Sequence, residues 1–184
     1  EGDIPSELTE DNQASIKDVL KGSPNKIELF VLGADNEIAE ALTYFEGVEF
    51  NLMCMPQAES GDTTAIKAFI KKMNDVVKYK CDAILANDKA DSEAIINYTA
   101  KNIVVNGEEV TTANHTARMA GLIEGAPLHQ SITFATLADV DAIENLTKEE
   151  ADSRIDAGEL ILVREMGKVR VARGVNSLTT LTDV

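Results

Sequence analysis

Between residues 27 and 86 the chain alternates between short apolar runs and segments with helical spacing, and few folds accommodate that order. Residues 27–32 are apolar except Glu28 and end at Gly33, which suits a buried strand better than a helix of that length. Asp35 is placed to cap the next segment, where Ile38, Ala41, Leu42 and Phe45 fall on one helix face and Gly47 stops it. Residues 50–55 read as a second buried strand closed by Pro56. Gly61-Asp62 then opens the most strongly patterned helix, with the stripe Ile66, Phe69, Ile70, Met73, Val76 and Val77 and with Lys67, Lys71, Lys72 and Lys78 mainly off it. Residues 82–86 supply a third strand. Strand, helix, strand, helix, strand with short links is the pattern of an open sheet with parallel neighbours.

The flanking segments differ in texture. Residues 1–26 are polar and acidic, with Ile16, Val19 and Leu20 on one helical face, followed by the turn Gly22-Ser23-Pro24-Asn25. After Asn87, Ile95-Ile96-Asn97-Tyr98 and Ile103-Val104-Val105 flank a short polar break, and Asn106-Gly107 is a strong turn signal, so short antiparallel strands are expected. Thr111 or Thr112 caps a helix reaching about Glu124, whose small residues Ala113, Ala117, Ala120 and Gly121 permit close backbone approach. Thr147-Lys148-Glu149-Glu150 has the capping-box pattern of another helix, stopped by Gly158. Residues 160–163 and 168–173, joined across Met166-Gly167, read as a hairpin. The expected fold class is therefore α/β: an open mixed sheet flanked by helices, with short antiparallel strands and a C-terminal hairpin. The 184 residues suffice for one domain, divided into an acidic helix and linker (1–26), a βαβαβ portion (27–87) and the remainder (88–184).

Composition bears mainly on partners. The formal charge is −15, and residues 1–60 hold 13 acids against 3 bases while the rest is only mildly acidic. No broad cationic surface is available to a phosphate backbone, so direct nucleic-acid binding is disfavoured. No apolar run approaches the roughly 20 residues that cross a bilayer, so no membrane span is expected. Cys54 and Cys81 each lie in an apolar stretch and read as reduced core thiols rather than a disulfide or metal pair.

Catalytic patterns are sparse. Neither a Walker-type nor a dinucleotide-type glycine loop occurs, and Gly33-Ala34-Asp35 after the first expected strand reads as a strand-to-helix turn with an Asp cap. His115 and His129 are the only histidines, stand 14 apart, and accompany no nucleophile motif, so they read as satisfied or solvent-facing. Asp88, Asp91 and Glu93 cluster in a loop that could hold a hard cation but reads as a solvated turn. The expectation is no enzyme, no catalytic, cofactor-binding or metal residues, and no cofactor. The alternative function is a small-ligand or nucleotide-binding α/β domain using the loops near Gly33 and Asn87.

Four stretches carry a resemblance to a known family: Ala90-Asp91-Ser92-Glu93-Ala94-Ile95-Ile96-Asn97; Val105-Asn106-Gly107-Glu108-Glu109 with Thr111; residues 117–128 followed by Gln130-Ser131-Ile132-Thr133; and residues 158–160 through Val169-Arg170-Val171 and residues 173–180. In order and separation they resemble the sheath subunits of contractile phage tails, in the prophage and tail-like bacteriocin branch. The resemblance implies a structural subunit that polymerises helically around a tail tube and contracts. Its implied partners are itself, the tail tube protein, and baseplate and tail terminator components, in a virion tail or tail-like particle assembled in the bacterial host cytoplasm. Family subunits also have an N-terminal arm and a C-terminal region that exchange strands with neighbours. Neither is visible here, so this stretch is expected to stay monomeric by itself. Lys168, Arg170 and Arg173 on the last hairpin are the candidate subunit-interface residues, facing acids of residues 1–59 of a neighbour.

Overall fold

A computed structural model of the chain describes residues 4–33 and 37–180. The first helix, α1, spans Glu10–Leu20, and the Thr9 hydroxyl accepts the Asn12 N–H at its start. Residues 27–32, expected as the first strand, join no sheet. They are held instead by α2 (Ile38–Phe45): the Tyr44 hydroxyl donates to Glu28 Oε1 at 2.5 Å and its ring lies 5.4 Å from Phe30. The Asp35 cap lies outside the described residues, and Glu37 takes the N-cap position of α2.

The core strands follow. β1 is Leu52–Cys54, α3 is Ser60–Lys72, and β2 is Asp82–Ala86. Ile66, Phe69, Ile70 and Met73 are buried as their spacing requires, whereas Val76 and Val77 are 74% and 52% exposed. The reason is a π-helical turn over Met73–Val77, whose wider pitch rotates the two valines off the stripe. Asn74 turns inward in their place, its Nδ2 donating to the Ile70 and Cys81 carbonyls at 3.0 and 2.6 Å and its Oδ1 accepting the Cys81 N–H at 3.3 Å.

β3 (Ile95–Tyr98) pairs with β2 in parallel, not antiparallel as expected. Returning from the end of β2 to its start means recrossing five residues, about 17 Å of strand, and the eight-residue link 87–94 reaches that far without a helix. Asn87 and Asp91, at φ 54° and 47°, supply its reversals. β4 (Ile103–Val105) and β5 (Glu108–Val110) form the expected antiparallel hairpin about Asn106-Gly107, both at positive φ, and β6 (Val140–Ala142) flanks β4 on its other side. Between them runs α4 (Thr112–Gly125), capped by Thr111.

α5 (Lys148–Asp156) begins at the Thr147–Glu150 capping box. Leu160, expected in the last hairpin, belongs instead to β7 (Glu159–Leu160), which pairs in parallel with β3. The hairpin proper is β8 (Leu162–Glu165) against β9 (Lys168–Val171), turning at Met166-Gly167 with φ of 50° and 77°, the left-handed pair that a two-residue turn demands.

The main sheet thus has the order β1-β2-β3-β7, all parallel. Apolar residues of α2 and α3 pack one face, around Ile66, Phe69, Ile70 and Leu85. α4 packs the other around Ile84, Tyr98, Met119 and Leu160, with α1 laid over α4. The mixed α/β class with antiparallel strands and a C-terminal hairpin is present, its strands divided among three small sheets. The small-residue line of α4 serves close approach as its spacing implies: Gly121 meets the Val19 carbonyl, Gly22 meets the Gly121 carbonyl, and Gly125 meets the Gly22 carbonyl. No room is left for a Cβ at any of the three.

Candidate subunit interface and the clip beside it

Loop 88–94 and residues 174–180, more than 80 positions apart, are laced together. Ser177 donates its N–H to the Ile95 carbonyl at 2.8 Å, and its hydroxyl bonds the N–H and carbonyl of Ser92 at 3.2 and 3.1 Å. Asn176 Nδ2 donates to the Glu93 carbonyl at 3.1 Å. The Asp91 carboxylate accepts four bonds, from the N–H and hydroxyl groups of Thr179 and Thr180, at 2.6 to 3.1 Å. Those donors, the Thr180 hydroxyl foremost, hold the Asp91 carboxyl well below the usual carboxylate range.

Of the acids that read as a solvated turn, Asp91 forms this clip through its carboxylate, while Glu93 lends its backbone carbonyl and keeps its side chain 74% exposed. Asp88 pairs instead with Lys67 Nζ of α3 at 2.7 Å, which ties the start of the loop to that helix. Asp91→Ala is expected to release residues 176–180, raising amide exchange at Thr179 and Thr180 while leaving the protection of β2 and β3 unchanged.

His115 is buried on α4, its Nδ1 sharing a 2.7 Å hydrogen bond with the Tyr98 hydroxyl, and His129 lies exposed beyond that helix. Burial pushes the His115 imidazole down to about 4. The unfolded chain takes up this proton near pH 6.5, whereas the native state takes it up only near 4, so the His115 titration costs no stability above pH 6.5 and progressively more as pH falls toward 4. The expected loss approaches roughly 3 kcal/mol by pH 4. Urea titrations of the native chain and of His115→Gln across that range measure it, the variant losing the His-linked part of the slope.

Both cysteines are free thiols. Cys54 Sγ donates to Thr116 Oγ1 at 3.3 Å, and burial pushes both thiols up to about 11, so neither offers a thiolate at neutral pH.

Charged groups inside the fold act as struts. Arg118 forks onto Asp139 at 2.9 and 3.1 Å, beside the Lys21–Asp139 pair. Arg154 is the centre of a larger set: Nε to Glu159 at 2.8 Å, Nη1 to Glu144 at 2.7 Å, and Nη2 to both the carbonyl and hydroxyl of Thr99 at 2.7 Å. Burial works to raise the Glu159 carboxyl, and the bonds from Arg154 and Thr99 outweigh it, leaving Glu159 below its ordinary value. Spacing gives no hint of these roles, because each partner comes from a different element.

Of the sequence-expected interface residues, Lys168 and Arg170 share one face of β9 while Val169 and Val171 are buried on the other. Lys168 is exposed, Arg170 lies 3.9 Å from Glu165, and Arg173 is exposed past the strand's end. Among the described residues no group of acids, histidines or cysteines is placed to hold a metal ion, and no helix is long and apolar enough to cross a membrane.

The residues that build the sheet, α4, the hairpin and most of the clip, 33–177, match the family model described as the phage tail sheath protein central domain. The chain belongs to the phage tail sheath family. It is 45% identical over 190 aligned positions to a tail sheath protein of Clostridium phage phiCD119, covering 99% of this chain and 53% of that protein. Among solved sheath structures, the sheath tail protein of Listeria innocua superposes with a TM-score of 0.73 at 27% identity, covering 78% of this chain and 34% of that one. That of Desulfitobacterium hafniense gives 0.74 at 24% identity, covering 83% and 38%, and shows the shared fold. This sheath-family chain spans about half the length of the phage relative.

Proposed function

We propose that the chain is the central structural unit of a contractile tail sheath subunit and not an enzyme. In its whole form the subunit polymerises helically around a tail tube and contracts to drive that tube through a bacterial envelope. The observation that carries this reading is the family match, which runs through nearly every element of the fold. Repeated heterologous contacts that do not close into a ring give a helical tube, and such contacts need complementary surfaces rather than a reactive centre. Partners in this reading are further copies of the subunit, the tail tube protein, and baseplate and terminator components, within a virion tail or tail-like particle assembled in the host cytoplasm. The three stretches 1–26, 27–87 and 88–184 act as one unit in it, and this stretch alone stays monomeric.

Lys168, Arg170 and Arg173 supply the basic side of a contact with acids of residues 1–59 on the next copy. The uneven charge distribution motivates this assignment. Reversing Arg170 and Arg173 to Glu in the full-length subunit is expected to abolish tubes seen by negative-stain electron microscopy, and normal tubes would remove the assignment. No observation favours the small-ligand reading: near Asn87, Asp88 is engaged by Lys67 and the Asn87 N–H by the Tyr98 carbonyl.

A further inference from the structure

One edge of the main sheet is β1. The Asp82 N–H bonds the Asn51 carbonyl at 2.8 Å, so by the alternation of a parallel ladder Leu52 and Cys54 turn their N–H and C=O groups away from β2, toward the open side. A groove lies there. Residues 25–29 line it on one side, 50–54 on the other, and Ala120, Ile123 and Glu124 of α4 contribute as well. The backbone of residues 27–32 makes no hydrogen bond with any strand, so two unpaired backbones border one groove.

We propose that residues 27–32 are a closable edge strand, which crosses this groove and pairs in parallel with β1 as the fifth strand of the main sheet.

Three independent features point to that occupant. The first is side-chain alternation: Glu28 and Phe30 contact Tyr44 on the α2 side, whereas Leu29 and Val31, at 49% and 52% exposure, are large apolar groups without a covering layer. Moving onto β1 would turn Leu29 and Val31 to the face that Leu52 and Cys54 already present to the α4 core, and would leave Phe30 on the α2 side. The second is handedness. α2 lies on the same face as α3, which makes the β1-to-β2 crossover, so a strand joined through α2 on the far side of β1 repeats the same hand. The third is composition: five of the six residues are Ile, Leu, Phe, Val and Leu, a run that a sheet edge accommodates and water does not. Closure would also cover an edge that is otherwise a template for unwanted pairing.

Amide hydrogen exchange of the chain, read at residue level by NMR at low concentration, tests this. Closure predicts slowed exchange at Leu52, Cys54 and alternate residues of 27–32, by about tenfold or more over free-peptide rates. Leu29→Asp with Val31→Asp should abolish that protection while leaving β2 and β3 protected, because both side chains are exposed in the open form and its folding does not need them. Free-peptide exchange at Leu52 and Cys54 in the native chain would overturn the proposal. Protection that appears only as concentration rises would also overturn it, in favour of a second copy's strand in the groove. Protection that survives the double Asp substitution would overturn the stated side-chain placement and with it the closed register.

Discussion

Gly121→Val unfolds the α1–α4 layer: the variant is expected to lose about 3 kcal/mol or more, a fall in Tm of roughly 6–12 °C for a chain of this size. Any side chain at Gly121 starts with a Cβ inside the Val19 carbonyl, and that obstacle is backbone, so no rotamer change relieves it. α1 must lift away, and with it goes the seat of Ile16, the buried side chain of that helix. Gly121→Ala should do most of the damage by itself, since the collision is with the first carbon. Thermal unfolding followed by circular dichroism measures the effect, and a Gly121→Ala variant within 1 °C of the native Tm would refute the described packing. The same reasoning covers Gly22 and Gly125, whose approach to neighbouring carbonyls is equally close.

Arg154→Met is the second large effect. The substitution keeps much of the aliphatic bulk and removes the cation that holds Glu144, Glu159 and Thr99 together. Two carboxylates are then left facing one another with Glu159 only 9% exposed, and Lys89 Nζ at 3.4 Å is too solvated to replace the lost cation. Removing one partner of such a set costs about 3 kcal/mol at neutral pH. The pH dependence carries the diagnosis. A carboxyl held below its ordinary value contributes stability that is present above the unfolded value near 4.5 and is lost as pH falls through the folded one. In the variant that contribution is gone and burial raises Glu159 instead, so the gap between native and variant should be widest near pH 7, begin to shrink above about pH 4.5 as the variant's Glu159 takes up its proton, and shrink further below it. A gap independent of pH would mean that lost packing, not the charge set, is responsible.

How much of this was legible in the sequence depends on the range of the interaction. Helices announced themselves through local rules: Thr111, one of two adjacent cap candidates, and Thr147 cap as their positions imply, and Ile66, Phe69 and Ile70 are buried as their spacing requires. The Asn106-Gly107 and Met166-Gly167 turns were equally local. The misreadings share a cause. Whether β3 runs with or against β2 is decided by the path of loop 87–94, not by the strand's own residues. Val76 and Val77 follow the α-helical period perfectly well in sequence, and only the inward pull of Asn74 on the Cys81 backbone reveals the π turn. The proposed interface rests on residue types and charge alone, and no local pattern in the sequence names the surface it would meet. The family resemblance picked out loop 88–94 and residues 174–180 separately, but that they bind each other through Asp91 and Ser177 is a long-range fact no local pattern encodes.

The clip has a mechanical consequence. A pull on the chain beyond Thr180 is borne first by the four bonds at Asp91 and then by Ser177 on Ser92 and Ile95, at the start of β3. Load entering there runs into a central strand bonded on both sides, while the β8–β9 hairpin, which would unzip one rung at a time if tugged from its end, is bypassed. Tension applied there is thereby delivered to the middle of the main sheet, where strands on both sides share it.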